Sequence, residues 1–224
     1  MWDFLLAGGP FMGLLVLTSI VSVTFIVERG LALRRSRVVP ADLETLLAEC
    51  RGRDDLPLVQ STCEKSPSTL SRLVATSVAH LGWPRNDNGN ALQTRARQEV
   101  VSLERGLVVL EVVVGVAPLL GLLGTIHGLI TLFGDIGQAG VSDNSVLARG
   151  IAIALNTTLM GLLIAIPSLV AWSYFTKKVE TFAVEMENLL DDLLRRLYRE
   201  PTPSGRRKGR SSGEGSEEPQ GRRS

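Results

Sequence analysis

Three long apolar stretches along this chain alternate with segments that are rich in charged residues. The apolar stretches run from Phe4 to Val27, from Leu107 to Phe133 and from Val146 to Phe175. Each is longer than the roughly 20 residues that an α-helix needs to cross a hydrocarbon core of about 30 Å. The pattern therefore predicts an all-α integral membrane protein with three transmembrane helices. The first stretch is too long for the core of a signal peptide, and basic residues follow it, so we expect it to be retained as an anchor.

The charged segment between the first two apolar stretches has helical signals of its own. It holds Ser68, which can cap a helix, and the stop signals Gly82 and Pro84. The run from Asn90 to Gly115 passes from charged to apolar without a breaker. We therefore expect the second membrane helix to begin inside this charged segment.

The third membrane helix is predicted to continue beyond its apolar stretch. Residues 176–200 repeat apolar side chains at steps of three and four, which is the pattern of a helix with one apolar face. This face comprises Val179, Phe182, Met186, Leu189, Leu190, Leu193 and Leu197. Because an apolar face needs a covering surface, we expect helices two and three to extend into the cytoplasm as a helical bundle. We also expect the chain to be homo-oligomeric.

Basic residues lie almost entirely on one side of the predicted membrane. Residues 28–106 hold twelve of the 24 Lys and Arg residues and the segment from Lys177 onward holds eleven, whereas residues 134–145 hold none. The positive-inside rule therefore places the charged segments in the cytoplasm. The predicted order is a periplasmic amino terminus with the first transmembrane helix (1–27), a cytoplasmic helical domain (28–106), the second transmembrane helix (107–133), a periplasmic loop (134–145), the third transmembrane helix (146–175), a cytoplasmic helical extension (176–200) and a disordered basic tail (201–224).

Composition and the rarer side chains add few candidate sites. The 224 residues are 45% hydrophobic and 21% charged with a net charge of +1, which agrees with apolar spans separated by charged segments. Cys50 and Cys63 have neither metal-ligand spacing nor a nearby histidine, and His80 and His127 have no nucleophile close in sequence. The glycines of GLLGTIHG follow no strand, so they suit close helix packing better than phosphate binding. We expect no enzyme activity, no cofactor, no metal site and no nucleic-acid partner.

A band of polar side chains interrupts the second and third apolar stretches. Asn156, Thr157 and Thr158 stand within GIAIALNTTLMGLLIAIPS, where each costs up to a few kcal/mol unless a partner satisfies it. At about 1.5 Å per residue, Thr125 of helix two lies at the same depth, roughly 10 Å from the outer edge of the hydrocarbon. Two hypotheses stay open. Either the threonines bond to carbonyls of their own helices while Asn156 ties two helices together, or the band lines a pore.

Three segments resemble the membrane signatures of a known family. AGGPFMGLLVLTSIVSVTFIVERGLALRR, VAPLLGLLGTIHGLI and GIAIALNTTLMGLLIAIPS are similar, in this order, to those of the MotA/TolQ/ExbB proton channel family. Three helices with the large domain after the first resemble its ExbB and TolQ branch. The resemblance implies a homopentamer in the bacterial inner membrane that encloses the transmembrane helices of two copies of an ExbD or TolR-like partner. It also implies that proton flow drives envelope transport or integrity, with a TonB-like or other envelope protein as a further candidate partner.

The resemblance also assigns candidate pore residues. The pore-facing threonine of the family's Gly-Thr motif falls on Thr125, and the threonine of helix three falls on Thr158. Thr157 and Asn156 add polarity beside Thr158. These four side chains are the candidate lining of a proton pore.

Two further positions bear on conduction. The frequent family pattern has a glutamate where this chain has Ile153, so proton passage would depend on an aspartate of the partner, the threonines and water. Glu111 falls within about 40° of the Thr125 face near the cytoplasmic edge, where it either marks the pore mouth or is solvated at the interface. His127, some 200° from Thr125, is expected to face a neighbouring helix.

Two other functions remain as alternatives. The departure at Ile153 favours a non-conducting membrane scaffold with the same fold. A small-solute transporter ranks last, because the sequence has no visible inverted repeat and no interrupted membrane helices.

Overall fold

The computed structural model describes residues 9–50, 52–139 and 144–198, and the elements in these ranges are all helices. They are α1 (Gly9–Ala32), α2 (Arg35–Val38), α3 (Ala41–Glu49), a 3-10 turn (Arg53–Asp55), α4 (Leu56–Lys65), α5 (Thr69–Ala79), α6 (Arg85–Glu104), α7 (Leu107–Ala139) and α8 (Asn144–Leu197). The predicted basic tail, residues 201–224, lies outside the described residues, as do residues 1–8.

Three of these helices are long and apolar enough to cross a membrane, by length and composition. The qualifying segments are Pro10–Ala32 in α1, Leu107–Gly134 in α7 and Leu147–Leu197 in α8. For the described residues, the prediction of an all-α membrane protein with three membrane helices is confirmed.

The end of α7 extends beyond the predicted span. Residues 134–145 are predicted as a loop, whereas α7 continues to Ala139 and α8 begins at Asn144. Gly134 and Gly137 each disfavour a helix by about 1 kcal/mol relative to alanine. Glycine nevertheless keeps the amide donor that proline lacks, so these two residues weaken the helix without ending it.

The three membrane helices meet in a small apolar core, in which α7 and α8 approach closely. Its buried members are Leu15 of α1, Val113 and Ala117 of α7, and Ile164 and Ala165 of α8. A Cβ added to Gly121 would lie 2.9 Å from the Thr157 carbonyl oxygen, and one added to Gly161 would lie 2.6 Å from the Ala117 carbonyl oxygen. Because these distances leave no room for a side chain, the two glycines set the separation of α7 and α8.

A second, larger core joins the short helices to the last part of α8. We call residues 35–104 together with residues 182–198 the lobe. Buried side chains of α3, α4 and α5, such as Leu43, Val59 and Leu70, pack in one cluster with Met186 and Leu193 of α8. The apolar stripe of α8 therefore finds its covering surface within the chain. Because the stripe is already covered, it gives no support to the expectation of a homo-oligomer.

The helix expected to run unbroken from the lobe into the second membrane span is divided in two. α6 ends at Glu104 and α7 begins at Leu107, with Arg105 and Gly106 between them. Arg105 keeps right-handed helical backbone angles, φ −48° and ψ −41°, so the interruption is local. It coincides with a tertiary contact, because the side chain of Arg29 at the end of α1 lies against Gly106.

Candidate functional site: a threonine cluster between two membrane helices

Thr125, Thr157 and Thr158 come together where α7 and α8 are closest. A Cβ added to Gly124 would lie 2.9 Å from the Thr157 hydroxyl, which shows that the small residue makes room for this side chain. Gly121, on the preceding turn of α7, makes room for the backbone of Thr157 and Thr158. Three residues that the sequence places at the same membrane depth are therefore in direct contact. We call Thr125, Thr157 and Thr158 the threonine cluster.

The threonine cluster shares two backbone carbonyls across the two helices. Thr125 Oγ1 lies 3.2 Å from the Gly121 carbonyl oxygen and 3.0 Å from the Ala154 carbonyl oxygen. Thr157 Oγ1 lies 2.7 Å from the Ala154 carbonyl oxygen, to which it donates, and 3.2 Å from the Gly121 carbonyl oxygen. Thr158 Oγ1 lies 3.2 Å from the Gly121 oxygen. The packing hypothesis expected each threonine to bond to the carbonyl four residues earlier in its own helix. Of the three, only Thr125 does so.

The hydroxyls also contact one another. Thr125 Oγ1 is hydrogen-bonded to Thr158 Oγ1 and lies 3.3 Å from Thr157 Oγ1. Each hydroxyl carries one proton and two lone pairs, so the cluster offers more acceptor positions than it has protons. The hydrogen bonds can therefore be redistributed by rotating hydroxyls, without moving either helix.

Burial distinguishes the members of the threonine cluster. Thr157 is 1% exposed, so its hydroxyl is enclosed between α7 and α8. Thr125 and Thr158 are half-buried and form the accessible edge of the cluster. A second chain or water can reach this edge but not Thr157.

Asn156 is not brought to the threonine cluster. It lies about 200° from Thr158 around α8 and only about 60° from Ile153. Both Asn156 and Ile153 are half-buried, and Asn156 makes no side-chain hydrogen bond to the part of the chain that the structure describes. The structure therefore gives no tie between two helices through Asn156, and it places the position of the missing carboxylate on the opposite flank from Thr158.

The two remaining candidates lie elsewhere on α7. Glu111 is exposed and forms no salt bridge within the described ranges, so the pore-mouth and solvation hypotheses both remain. His127 is exposed, and its ring meets the Phe11 ring of α1 edge to face, with the centroids 5.3 Å apart. This contact with a neighbouring helix agrees with its expected orientation.

A second polar contact inside the membrane region escaped the sequence analysis. Ser22 Oγ of α1 lies 2.6 Å from Ser168 Oγ of α8, and both side chains are buried. Ser168 Oγ donates to the Ile164 carbonyl at 2.7 Å, so Ser22 donates to Ser168. The sequence indicates this contact only weakly, because a serine in an apolar helix suggests a helix–helix contact but not which residue it meets.

The two cysteines are not activated thiols. Burial raises the pKa of both the Cys50 and Cys63 thiols, so both stay protonated at neutral pH. No cluster of His, Cys, Asp and Glu that could hold a metal ion occurs among the described residues.

These features define a class of protein: a helical membrane protein whose second and third spans are joined by a polar cluster. Residues 66–188, more than half of the chain, match the MotA/TolQ/ExbB proton channel family. The chain belongs to this family, and its relatives place it in the ExbB/TolQ-like branch.

Three relatives show how far the similarity extends. The chain is 35% identical over 83 residues to the biopolymer transport protein ExbB of Helicobacter pylori strain J99, which covers 37% of this chain and 57% of that protein. It is 31% identical over 110 residues to the Tol-Pal system protein TolQ of Haemophilus influenzae, covering 49% of this chain and 48% of TolQ. A putative ExbB-like protein 1 of Synechocystis sp. is 30% identical over 212 residues, covering 89% of this chain and 81% of that protein. The chain thus spans roughly half of the ExbB and TolQ proteins and most of the Synechocystis one.

Proposed function

We propose that this chain is the proton-channel subunit of an ExbB/TolQ-like complex in the bacterial inner membrane. The complex couples the proton motive force to envelope transport or integrity. The observation that carries the proposal is the accessible edge of the threonine cluster, Thr125 and Thr158, inside the membrane spans of α7 and α8. Family membership supplies the class of function.

The threonine cluster supplies hydrogen-bonding groups at a membrane depth where a moving proton meets few other polar groups. A charge in bare hydrocarbon is costly, so a proton needs polar groups or water along its path. Thr125 and Thr158 can donate to or accept from a carboxylate or water at the accessible edge, and they can reverse these roles by rotation. Thr157 holds the two helices in register behind them.

The ionisable group of the path comes from a partner. Ile153 occupies the position of the frequent family glutamate and has no acidic side chain. The fitting partner is an ExbD or TolR-like protein with one transmembrane helix that carries an aspartate. Its helix lies against the Thr125 and Thr158 edge, with Asn156 contributing polarity on the other flank of α8 and Glu111 a candidate for the pore mouth.

The proposed assembly is a homopentamer with a periplasmic amino terminus and a cytoplasmic carboxyl terminus. Large apolar side chains remain exposed on all three membrane helices of one chain, among them Ile20, Ile130 and Leu163. These surfaces suit lipid, further copies and a partner helix. Native mass spectrometry from mild detergent should find the oligomer, and finding monomers alone would contradict it.

A non-conducting scaffold is the second candidate function. Ile153 favours it, and so does the fact that each hydroxyl of the threonine cluster has an acceptor within the chain. A TonB-like or other envelope protein remains a candidate partner under either function.

Valine substitutions separate the two functions, because valine has nearly the shape of threonine but cannot hydrogen-bond. The double variant Thr125→Val, Thr158→Val should keep its partner on purification and lose most proton flux into liposomes that hold the complex. Thr18→Val is the matched control, since Thr18 of α1 bonds to the Leu14 carbonyl of its own helix at 2.8 Å. Thr18→Val should keep the native flux. Undiminished flux in the double variant would refute the threonine relay, whereas a native complex that adds no flux to that of protein-free liposomes would leave the scaffold.

A further inference from the structure

The break between α6 and α7 is occupied by an arginine from α1. The Arg29 side chain is 14% exposed, and its Nη1 donates to the Leu103 carbonyl at 3.2 Å. Its Nε and Nη2 both donate to the Glu28 carboxylate at 2.6 Å. A mostly buried guanidinium thus has its charge paired and reaches a carbonyl in the last turn of α6.

Gly106 leaves the space that Arg29 fills. A Cβ added at residue 106 would overlap Arg29 Nε and would lie 2.7 Å from its Cζ atom. Gly115, also in α7, is different, because an added Cβ would meet nothing within 4 Å. Gly106 is thus filled by Arg29 of α1, whereas the close neighbours of Gly121 and Gly161 in the membrane core are backbone atoms of the facing helix.

Arg29 contacts the chain on both sides of the break. Leu103 precedes the interruption and Gly106 stands within it. Just beyond it, Leu107 and Leu110 pack with Leu33, which follows α1, in a cluster that also contains Phe175 and Val179 of α8. α8 passes this cluster without interruption.

The last carbonyls of a helix lack partners within it, and a cation near them is favourable. Arg29 supplies both a donor and a positive charge to the end of α6. The Leu107 amide does not donate to the Leu103 carbonyl while Arg29 fills the break. If Arg29 withdraws, this amide can approach and replace it as the donor, which is the bond of a continuous α-helix.

We propose that Arg29 is a latch that holds a hinge open at Arg105–Gly106, between the lobe and the second membrane helix. With the latch in place, α6 and α7 are separate helices and α7 can tilt without moving the lobe. With the latch released, α6 and α7 join into one helix, and the Thr125 side of α7 moves together with the lobe. The device does not depend on proton conduction and would operate equally in a scaffold.

A double-mutant cycle tests the latch in the full-length chain. Gly106→Ala should lower the thermal unfolding midpoint in the native background, because the methyl group displaces the Arg29 side chain and breaks its hydrogen bond to the Leu103 carbonyl. The same substitution should raise the midpoint in an Arg29→Met background, because alanine favours a continuous helix. Arg29→Met keeps the packing of the aliphatic stem and removes the charge and the donors.

Gly115→Ala is the matched control, and it should shift the thermal unfolding midpoint in the same direction in both backgrounds. Hydrogen exchange supplies the local readout: amides of residues 105–107 should exchange at least about tenfold more slowly in the Arg29→Met, Gly106→Ala variant than in the native chain. An effect of Gly106→Ala that has the same sign in both backgrounds would overturn the latch. Unchanged exchange at these amides would overturn the hinge.

Discussion

At the residue scale, the members of the threonine cluster differ in burial. Thr157 is enclosed by its own chain, with its hydroxyl within hydrogen-bond distance of carbonyls of both helices, whereas the Thr125 and Thr158 residues keep accessible surface. The sequence places the three at one depth and makes all three candidates for the pore lining. Burial divides them into one residue that joins two helices and two that can meet a partner.

Thr157→Val should therefore lower stability more than it lowers partner binding. It removes the buried donor to the Ala154 and Gly121 carbonyls, at an expected cost of about 1–2 kcal/mol. Thermal unfolding in detergent measures the loss. Thr131→Val is the control, since Thr131 is exposed and bonds only to the His127 carbonyl of its own helix at 3.0 Å. Equal midpoints for the two variants would show that Thr157 does not join the helices.

At the element scale, two contacts of different kinds help to attach α1 to the rest of the membrane region. One is apolar, through Leu15. The other is the buried hydrogen bond between Ser22 and Ser168. Because serine is small, this bond permits close contact between α1 and α8 as well as adding polarity. α1 therefore has a defined position against α8.

The serine pair predicts a measurable coupling between α1 and α8. Ser22→Ala and Ser168→Ala should each lower stability, and the double variant should be little worse than either single variant. The coupling free energy expected for a hydrogen bond between membrane helices is about 0.6–1.7 kcal/mol. Thr24→Val, on an exposed residue that bonds within α1, should have little effect. Additive effects of the two serine substitutions would rule out the pairing.

At the scale of the whole molecule, a small junction connects the lobe core to the membrane core. The lobe core and the membrane core are separate clusters, and a third cluster around Leu33, Leu107 and Phe175 lies at the junction with Arg29. α8 alone among the described helices contributes buried residues to all three clusters. The third membrane helix is thus the rigid connection, and the second meets the lobe through the break.

The orientation of the whole molecule in the membrane is a prediction from charge. In a background that carries Cys50→Ser and Cys63→Ser, Ser142→Cys should react with an impermeant thiol reagent in intact cells. Ser211→Cys should react only after the cells are opened. Both positions lie outside the described residues, so the experiment depends on the sequence alone. Labelling of residue 211 but not 142 in intact cells would reverse the topology.

The sequence by itself determined the three membrane helices, the family signatures and the shared depth of Thr125 and Thr158. These features follow from local hydropathy, from residue order and from the fixed rise of a helix. The apolar stripe of α8 was likewise visible, although its partner was not. Periodicity shows that a face is apolar without showing what covers it.

Only the tertiary structure decided which surfaces meet. The lobe covers the stripe, Asn156 turns away from the threonine cluster, and Ser22 finds Ser168 across 146 positions of sequence. The break at Gly106 was equally hidden, because glycine is tolerated inside helices and its effect here depends on Arg29. Contacts between residues far apart in sequence leave no periodic trace, so they became visible only once the helices were packed.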